Sequence, residues 1–259
     1  GSKVTILQNG SVFLPKEDRD MAEAVENVLK SYGVSVITGA GLKEIKEGTA
    51  VYTKNGEEDT LDGDAILLAT GRGPNTEGLH AERAGVELTK RGAVVTDKHL
   101  RTTAENIWAA GDVCGNLQFT YISLDDSRII LSDMQGDGSR TTENRGAFAY
   151  SVFMEPSFSR AGLSEKEAAD KGLNYRVVRM NTDMIPKAKV LRKTAGMLKA
   201  VIDKDSGKIL GAALFCPESY EIINMVKLAM DHDLDYTVLR DFIYTHPTMS
   251  EGLNDLFAL

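Results

Sequence analysis

The stretch TTAENIWAAGDVCG, residues 102–115, decides the fold of this chain. Its polar lead runs into a short apolar segment, residues 107–110, which we predict to be a buried strand that stops at Gly111 and Asp112. A glycine at a strand end lets backbone approach a ligand closely, and a carboxylate beyond it accepts hydrogen bonds from hydroxyl groups. Because open α/β sheets bind ligands at the carboxyl ends of their strands, the pattern predicts a polyol site at Asp112. A simple turn begun by Asp112 is the alternative.

Composition and charge exclude several classes of protein. The 259 residues are 42% hydrophobic and 26% charged, as in ordinary globular proteins. No apolar run approaches the roughly 20 residues of a membrane span, and no leader segment opens the chain, so we expect a cytoplasmic protein without a membrane partner. The net charge of −8, with no basic stripe, argues against nucleic-acid binding. Cys114 and Cys216 are far apart and belong to no metal-ligand cluster, which predicts two buried thiols and no metal site.

The first 61 residues predict part of a nucleotide-binding domain. A strand at residues 3–7, a helix with apolar positions between Met21 and Tyr32, and a strand at residues 34–37 form a β-α-β unit, with Asp18 or Asp20 as the helix cap. The Gly-x-Gly-x-x-Gly turn that cradles a pyrophosphate is absent, so the unit is predicted to be truncated. Strands are also predicted at residues 42–45, 49–53 and 58–61, the last two joined by a type I′ turn at Asn55-Gly56.

Gln8 stands at the end of the first predicted strand, where a polar side chain can hydrogen-bond the hydroxyls of an adenosine ribose. A solvated polar residue at a strand end is the alternative. A glutamine there does not repel a 2′-phosphate, so the choice between NADH and NADPH stays open.

The middle and the C-terminal part of the chain are predicted to be separate domains. Residues 64–75, DAILLATGRGPN, indicate a buried strand and a turn that crosses to the next domain, and residues 94–97 indicate another strand. Residues 134–145, rich in Gly, Ser, Thr and charge, are the predicted linker. Beyond it we predict an α+β unit with strands at residues 150–153, 175–180, 198–203 and 209–215, a capped helix at 164–171, an amphipathic helix at 218–232 and two short final helices.

The stretch THPTMSE, residues 245–251, is the second informative motif. Pro247 forces an extended or turn conformation before the last helix. In one interpretation Thr248 and Glu251 form a capping box and His246 is incidental. In the other, Glu251 orients His246 as an imidazole that shuttles protons near neutral pH. The residues alone leave both interpretations open.

These motifs together resemble the pyridine nucleotide-disulfide oxidoreductases. Residues 102–115 are similar to the second flavin-binding motif of that family, which implies that Asp112, beside Gly111, hydrogen-bonds the ribitol of FAD. The resemblance also implies that Thr120 places a backbone amide against the pyrimidine edge of the flavin. The helix proposed to begin there would stabilise negative charge on the reduced flavin.

The resemblance extends to the NAD(P)H site and the C-terminus. Residues 64–75 are similar to the family's Ala-Thr-Gly-Arg-x-Pro-Asn motif, which implies that Gly71 lies by the nicotinamide nucleotide. Leu42 matches a position that lines the adenine pocket, an ordinary core leucine being the alternative. The stretch at residues 245–251 is similar to the family's catalytic dyad, which implies that His246, held by Glu251, acts across a two-fold interface on the redox dithiol of the other subunit. It also implies a cis His246-Pro247 bond.

Within the family, residues 119–126 together with residues 245–251 are most similar to bacterial reactive-chlorine-resistance flavoproteins, relatives of mercuric reductase associated with copper(II) or hypothiocyanous acid reduction. The terminal cysteine pair with which mercuric reductases capture mercury is absent from this sequence, which disfavours mercury as substrate. The Cys-x-x-x-x-Cys redox pair is absent as well.

The sequence therefore predicts an α/β plus α+β protein. Residues 1–70 are expected to be the remnant of an NAD(P)-binding Rossmann-type domain, residues 71–145 the second segment of an FAD-binding domain, and residues 146–259 a dimerisation domain. The implied function is that of the C-terminal part of an FAD-dependent NAD(P)H:disulfide, metal or oxidant oxidoreductase that forms homodimers. The chain alone is expected to be inactive. A homodimerisation module without chemistry of its own is the alternative.

Overall fold

The computed structural model describes residues 1–259. The chain forms two compact units, one of residues 1–66 with residues 147–259, and one of residues 67–146. No helix is both long enough and apolar enough to cross a lipid bilayer.

The N-terminal residues fold into the predicted β-α-β unit. Strand β1 (Thr5–Gln8) pairs in parallel with strand β2 (Ser35–Thr38), and helix α1 (Arg19–Ser31) connects them. The helix buries Met21, Ala22, Val25 and Val28, whose spacing places them on one face. Asp18 occupies the N-cap position of α1, yet neither it nor any other side chain caps this helix. Its carboxylate instead accepts hydrogen bonds from the amides of Glu165 and Lys166, at 2.9 and 3.1 Å, so the predicted capping role was wrong.

The antiparallel meander follows as predicted. Strands β3 (Gly41–Lys46), β4 (Thr49–Lys54) and β5 (Glu57–Asp62) form one sheet in that order. Asn55 and Gly56 have φ values of 53° and 86°, the positive pair that a type I′ turn requires. The two-residue turn sequence thus fixed this hairpin locally.

The unit formed by residues 67–146 contains one long regular element, helix α2 (Thr120–Gln135). The strands predicted within residues 64–71, 94–97 and 107–110 were wrong: the middle unit contains only isolated bridges, between Leu88 and Val94 and between Arg101 and Trp108. Leu67, expected in a buried strand, is 90% exposed. An apolar run forms a strand only where a neighbouring segment pairs with it over several residues, and the pairing at residues 94–97 and 107–110 is limited to single bridges.

The segment predicted to be a linker, residues 134–145, is held by charge. Helix α2 continues through Gln135, and a short 3-10 turn spans Thr142–Asn144. Arg140 and Arg145 form ion pairs with the half-turn of α2 that carries Asp125 and Asp126. The polar composition of this segment is therefore explained by ion pairs with helix α2.

The C-terminal residues form the predicted α+β domain. Its five strands are antiparallel and lie in the order β6-β7-β10-β9-β8. Two elements, β7 and α4, were not predicted. The elements are β6 (Ala149–Val152), β7 (Phe158–Gly162), α3 (Glu165–Asp170), β8 (Tyr175–Asn181), α4 (Pro186–Leu191), β9 (Met197–Asp203), β10 (Ile209–Phe215), α5 (Ser219–Asp231), α6 (Thr237–Arg240) and α7 (Gly252–Ala258).

The core of this domain lies between the sheet and the helices that cover it. Leu198 and Leu214 from the sheet pack with Ile222 and Val226 from α5, and all four are at least 99% buried. Helix α3 begins with the predicted capping box, in which the Ser164 hydroxyl accepts from the Glu167 amide and the Glu167 carboxylate accepts from the Ser164 amide.

A buried ion cluster joins helix α1 to the C-terminal sheet. Lys199 on β9 has a side chain that is only 2% exposed, and its Nζ lies 2.9 Å from Asp18, 2.9 Å from Asp20 and 2.7 Å from Glu165. Burial raises the pKa of Asp18, but hydrogen bonds from the Glu165 amide and from Lys199 outweigh burial and hold this pKa below its ordinary value. Burial likewise lowers the pKa of Lys199, and the carboxylates outweigh it, so this pKa is raised.

Candidate active site and flavin-binding turn

His246 and Glu251 are in direct contact. Nδ1 of His246 lies 2.8 Å from Oε2 of Glu251. The imidazole is 71% exposed, whereas the Glu251 side chain is 14% exposed. A largely buried carboxylate therefore orients an exposed ring. The second carboxylate oxygen, Oε1, is buried without a hydrogen-bond partner. This geometry leaves Nε2 on the exposed ring free to exchange a proton with a substrate group.

The backbone around this pair supports the interpretation that Glu251 orients His246. The His246-Pro247 bond is cis, which confirms the expectation from the family resemblance. Helix α7 begins at Gly252, with Glu251 at the N-cap position, and the Thr248 hydroxyl donates to the Thr245 carbonyl at 2.7 Å. The capping box of Thr248 and Glu251 therefore does not form, because the helix starts after both residues.

Gly111 and Asp112 begin a 3-10 turn, Gly111–Cys114, after a stretch with no paired strand. Gly111 has a φ of +75°, and a Cβ on it would lie 2.8 Å from Oγ of Ser123, so only glycine fits this close approach to α2. The Asp112 side chain is 43% exposed and pairs with Arg72 at 3.1 Å. Asp112 thus presents a carboxylate that can accept hydrogen bonds from hydroxyls, although no sheet edge stands behind it.

Thr120 is the first residue of helix α2. No side chain caps this helix, and the amides of Ile122 and Ser123 bond to the carbonyl of Phe119. The amides of Thr120 and Tyr121 precede the first hydrogen-bonded turn, and such amides, with the positive end of the helix dipole, can receive an electron-rich ligand edge. Since Ser123 packs against Gly111, the turn and the helix start are neighbours.

The remaining predicted site residues lie on other elements. Gln8 ends β1, opposite Thr38, and Leu42 lies on β3, opposite Tyr52, with 41% exposure. Gly71 has a φ of +118° in an irregular, exposed segment next to Arg72.

The two cysteines are free and buried. Burial is the main cause that raises the pKa of Cys114 to about 11 and that of Cys216 to about 12. Both thiols therefore stay protonated at neutral pH and are poor nucleophiles. The structure brings no three His, Cys, Asp or Glu side chains together in a way that could hold a metal ion.

Comparison with known proteins identifies the class. A sequence model described as pyridine nucleotide-disulphide oxidoreductase matches residues 1–127, and the dimerisation domain of the same family matches residues 148–257. The chain belongs to this family, whose members use FAD and NAD(P)H. The nucleotide-binding and dimerisation architectures predicted from the sequence are confirmed at the level of the family.

Individual members of the family show how similar the chain is to known proteins. The chain is 49% identical over 259 residues to the probable pyridine nucleotide-disulfide oxidoreductase RclA of Escherichia coli, and it spans 59% of the length of that protein. It is 33% identical to mercuric reductase of Staphylococcus aureus over 98% of its own length and 47% of the relative. A solved structure, the Cu(II) complex of the HOCl-induced flavoprotein disulfide reductase RclA from Escherichia coli, matches all of this chain and 58% of that chain with a TM-score of 0.93 and 48% identity.

Several residues of this neighbourhood escaped the sequence analysis. Arg72 pairs with Asp112, and Asp126 accepts a hydrogen bond from the Gly111 amide at 2.7 Å. The adjacent aspartates in the second turn of a helix, with Arg140 and Arg145 further along the chain, were the only signal for the second contact.

Proposed function

We propose that this chain is the C-terminal part of an FAD-dependent NAD(P)H:disulfide, metal or oxidant oxidoreductase, with His246 and Glu251 as its acid-base dyad. The hydrogen bond of 2.8 Å between Nδ1 and Oε2 carries the proposal. FAD, when bound, supplies the redox chemistry that links NAD(P)H to a dithiol, which lies outside this sequence. The two domain matches and the relatives that are reductases support this function.

The role of the dyad follows from exposure and charge. A dithiol passes electrons only as a thiolate, so a nearby base must take the thiol proton and return it later. His246 offers an exposed ring nitrogen for that transfer, and Glu251 holds the ring in orientation. We place the dithiol on the partner subunit of a homodimer, which agrees with the match to the dimerisation domain.

The flavin contacts fit residues that this chain supplies. Asp112 is half-exposed and can accept from the ribitol hydroxyls, and the amides at the start of α2 can donate to the pyrimidine edge. Gln8, Leu42 and Gly71 are proposed to contact NAD(P)H. The Cu(II) complex and HOCl induction named for the solved relative favour copper or an oxidised thiol product as substrate of the whole enzyme.

The experiment uses a hybrid in which the part of Escherichia coli RclA not matched by this chain is joined ahead of Gly1. We expect the hybrid to oxidise NAD(P)H, whereas the 259-residue chain with added FAD does not. His246→Gln should lower disulfide turnover by roughly 10²- to 10⁴-fold and abolish the acid-side limb of the pH profile, with the flavin spectrum unchanged. The matched control is His232→Gln, which changes an exposed histidine at the end of α5. Full activity of His246→Gln contradicts the proposed role of His246 and Glu251. NAD(P)H oxidation by the chain alone contradicts the proposal that catalysis needs a dithiol outside this sequence.

The alternative function is a homodimerisation module without chemistry. It is favoured by the complete core of the C-terminal domain and by the apolar side chains of Phe242 and Ile243, 55% and 94% exposed, just before His246. Size-exclusion chromatography with light scattering tests it, because the alternative requires the inactive chain to be a dimer. A monomer at high concentration excludes an autonomous module.

A further inference from the structure

The buried charges of helix α2 lie directly behind the Gly111–Asp112 turn. The Asp126 side chain is only 4% exposed, and its Oδ2 accepts the hydrogen bond of the Gly111 amide at 2.7 Å. Its other oxygen, Oδ1, bonds to Nη2 of Arg145. One carboxylate therefore ties a backbone amide of the turn to a buried cation, and both of its oxygens are used.

The neighbouring aspartate has a different set of partners. Asp125 pairs with Arg140, whose Nε lies 3.1 Å from Oδ1, and with Arg145, whose Nε lies 3.1 Å from Oδ2. Its side chain is 10% exposed and bonds to no atom of the turn. Asp125 and Asp126 thus share a helix, a charge and an arginine, but only Asp126 contacts Gly111.

We propose that Asp126 is the positioning residue of the Gly111–Asp112 turn, and that it fixes the spacing between Asp112 and the first amides of α2. This inference rests on the proposed function, because these are the two groups assigned to the ribitol and the pyrimidine edge of FAD. The Asp126 side chain is buried and acts through the Gly111 amide.

Arg145 balances the buried negative charge of Asp126. A buried carboxylate without a cation would be strongly destabilising, and beside a flavin site it would also oppose negative charge on the reduced cofactor. Arg145, whose side chain is 15% exposed, neutralises Asp126 and leaves its hydrogen bond to Gly111 intact. The amide of Gly111 is in this way held by an ionised acceptor, which makes a stronger bond than a neutral one.

The tight fit on the other side of the turn adds to this restraint. Gly111 meets Ser123, three residues before Asp126 on the same helix face, with no space for a Cβ. The hydrogen bond from Gly111 to Asp126 thus holds the turn against α2, and the contact with Ser123 sets how close the turn can approach. Removal of this hydrogen bond, with Ser123 unchanged, should free the turn without altering the helix.

The first test measures hydrogen exchange of the Gly111 amide by NMR in the full 259-residue chain. Asp126→Ala should speed this exchange by roughly 10- to 100-fold, because it removes a bond to a charged acceptor. The matched control Asp125→Ala removes the same charge from the same cluster and should change exchange at Gly111 by less than about twofold. Equal acceleration in both variants overturns the proposal, since the cluster would then act only on general stability.

A second variant keeps the test decisive if Asp126→Ala does not fold. Asp126→Asn retains an oxygen that can accept from Gly111, so Gly111 exchange should stay closer to the wild-type rate than to the rate of the unbonded amides in the same chain. Asp125→Asn again serves as its control. Exchange at Gly111 that reaches the rate of the unbonded amides in either variant overturns the proposal.

The flavin consequence is measured in the hybrid protein by FAD fluorescence. Asp126→Ala should weaken FAD binding by about tenfold and Asp125→Ala by less than about threefold, because only the first frees Asp112. Unchanged FAD affinity in a variant whose Gly111 exchange is accelerated overturns the link to the cofactor. A wild-type hybrid that binds no FAD contradicts the proposed function instead, and the exchange comparison then still decides whether Asp126 holds the turn.

Discussion

Strand β10, residues Ile209–Phe215, and residues 107–110 are both short apolar runs, yet they have different fates. Strand β10 lies inside the five-stranded sheet, with β7 on one side and β9 on the other, and Leu214 on it is fully buried. Residues 107–110 make one isolated bridge, between Trp108 and Arg101, and Ile107 is 37% exposed. The apolar run of β10 thus lies in a continuous ladder with two neighbouring strands, whereas residues 107–110 have no such ladder.

The two regions can also be compared by their buried charged clusters. In the C-terminal sheet, three carboxylates surround Lys199, and in the unit of residues 67–146, Asp125 and Asp126 bind two arginines. Both clusters fix backbone segments that come from distant parts of the sequence. The first stabilises the packing of a helix on a sheet, whereas the second restrains a turn at a proposed cofactor site.

The largest effect is expected from Lys199→Ala. This change leaves Asp18, Asp20 and Glu165 without their buried cation, and breaking such a pair costs about 3–5 kcal/mol of unfolding free energy. Urea denaturation followed by circular dichroism measures it. Lys193→Ala is the matched control, because Lys193 is 53% exposed and solvent screens its pair with Glu155, so this change should cost far less than Lys199→Ala. Similar losses in both variants would show that the cluster around Lys199 adds no stability.

A smaller difference is expected between two apolar truncations. Leu214→Ala opens a cavity in the sheet domain and should cost about 2–5 kcal/mol, whereas Ile107→Ala, at a partly exposed site without strand neighbours, should cost less than about 1 kcal/mol. The same urea titration compares them. We expect the added part of the hybrid protein to supply a partner strand for residues 107–110, so Ile107→Ala should become more costly there than in the chain alone. Equal costs in the hybrid and the chain would mean that residues 107–110 gain no partner.

The smallest effect concerns pH. The pKa of Asp18 and that of Asp20 are lowered in the folded state below 3.8, although burial opposes the shift, so their contribution to stability is present above pH 3.8 and is lost as pH falls through the folded pKa values. The difference in unfolding free energy between wild type and Asp18→Asn should therefore shrink between about pH 6 and about pH 3. Asp170→Asn, which removes an exposed pair with Lys166, should give a small difference throughout. A gap for Asp18→Asn that widens on acidification would contradict the assigned charge state.

Local signals explain what the sequence predicted correctly. The turn Asn55-Gly56, the capping box at Ser164 and the helical spacing after Arg19 each depend on residues a few positions apart, and all three structures form. The contact between His246 and Glu251 spans five residues, so its motif was visible as well. Its competing interpretation, the capping box with Thr248, could be rejected only after the start of α7 was known.

The incorrect predictions share one cause. The strands within residues 64–71, 94–97 and 107–110 were inferred from apolar content, which does not reveal whether a partner strand exists. Asp18 was expected to cap the helix beside it, but its carboxylate accepts from the first amides of α3, including that of Glu165, 147 residues away. Such choices depend on which segments meet in space.

The sequence by itself determined the class of this protein, because the motifs around Asp112 and His246 and the short-range turns and caps consist of neighbouring residues. Only the tertiary structure decided which carboxylates are buried beside Lys199 and behind Gly111, and which apolar runs become strands. A strand needs a hydrogen-bonded neighbour, and a buried charge needs an oppositely charged partner. Folding brings both kinds of partner close from distant parts of the chain, and no local sequence pattern specifies them.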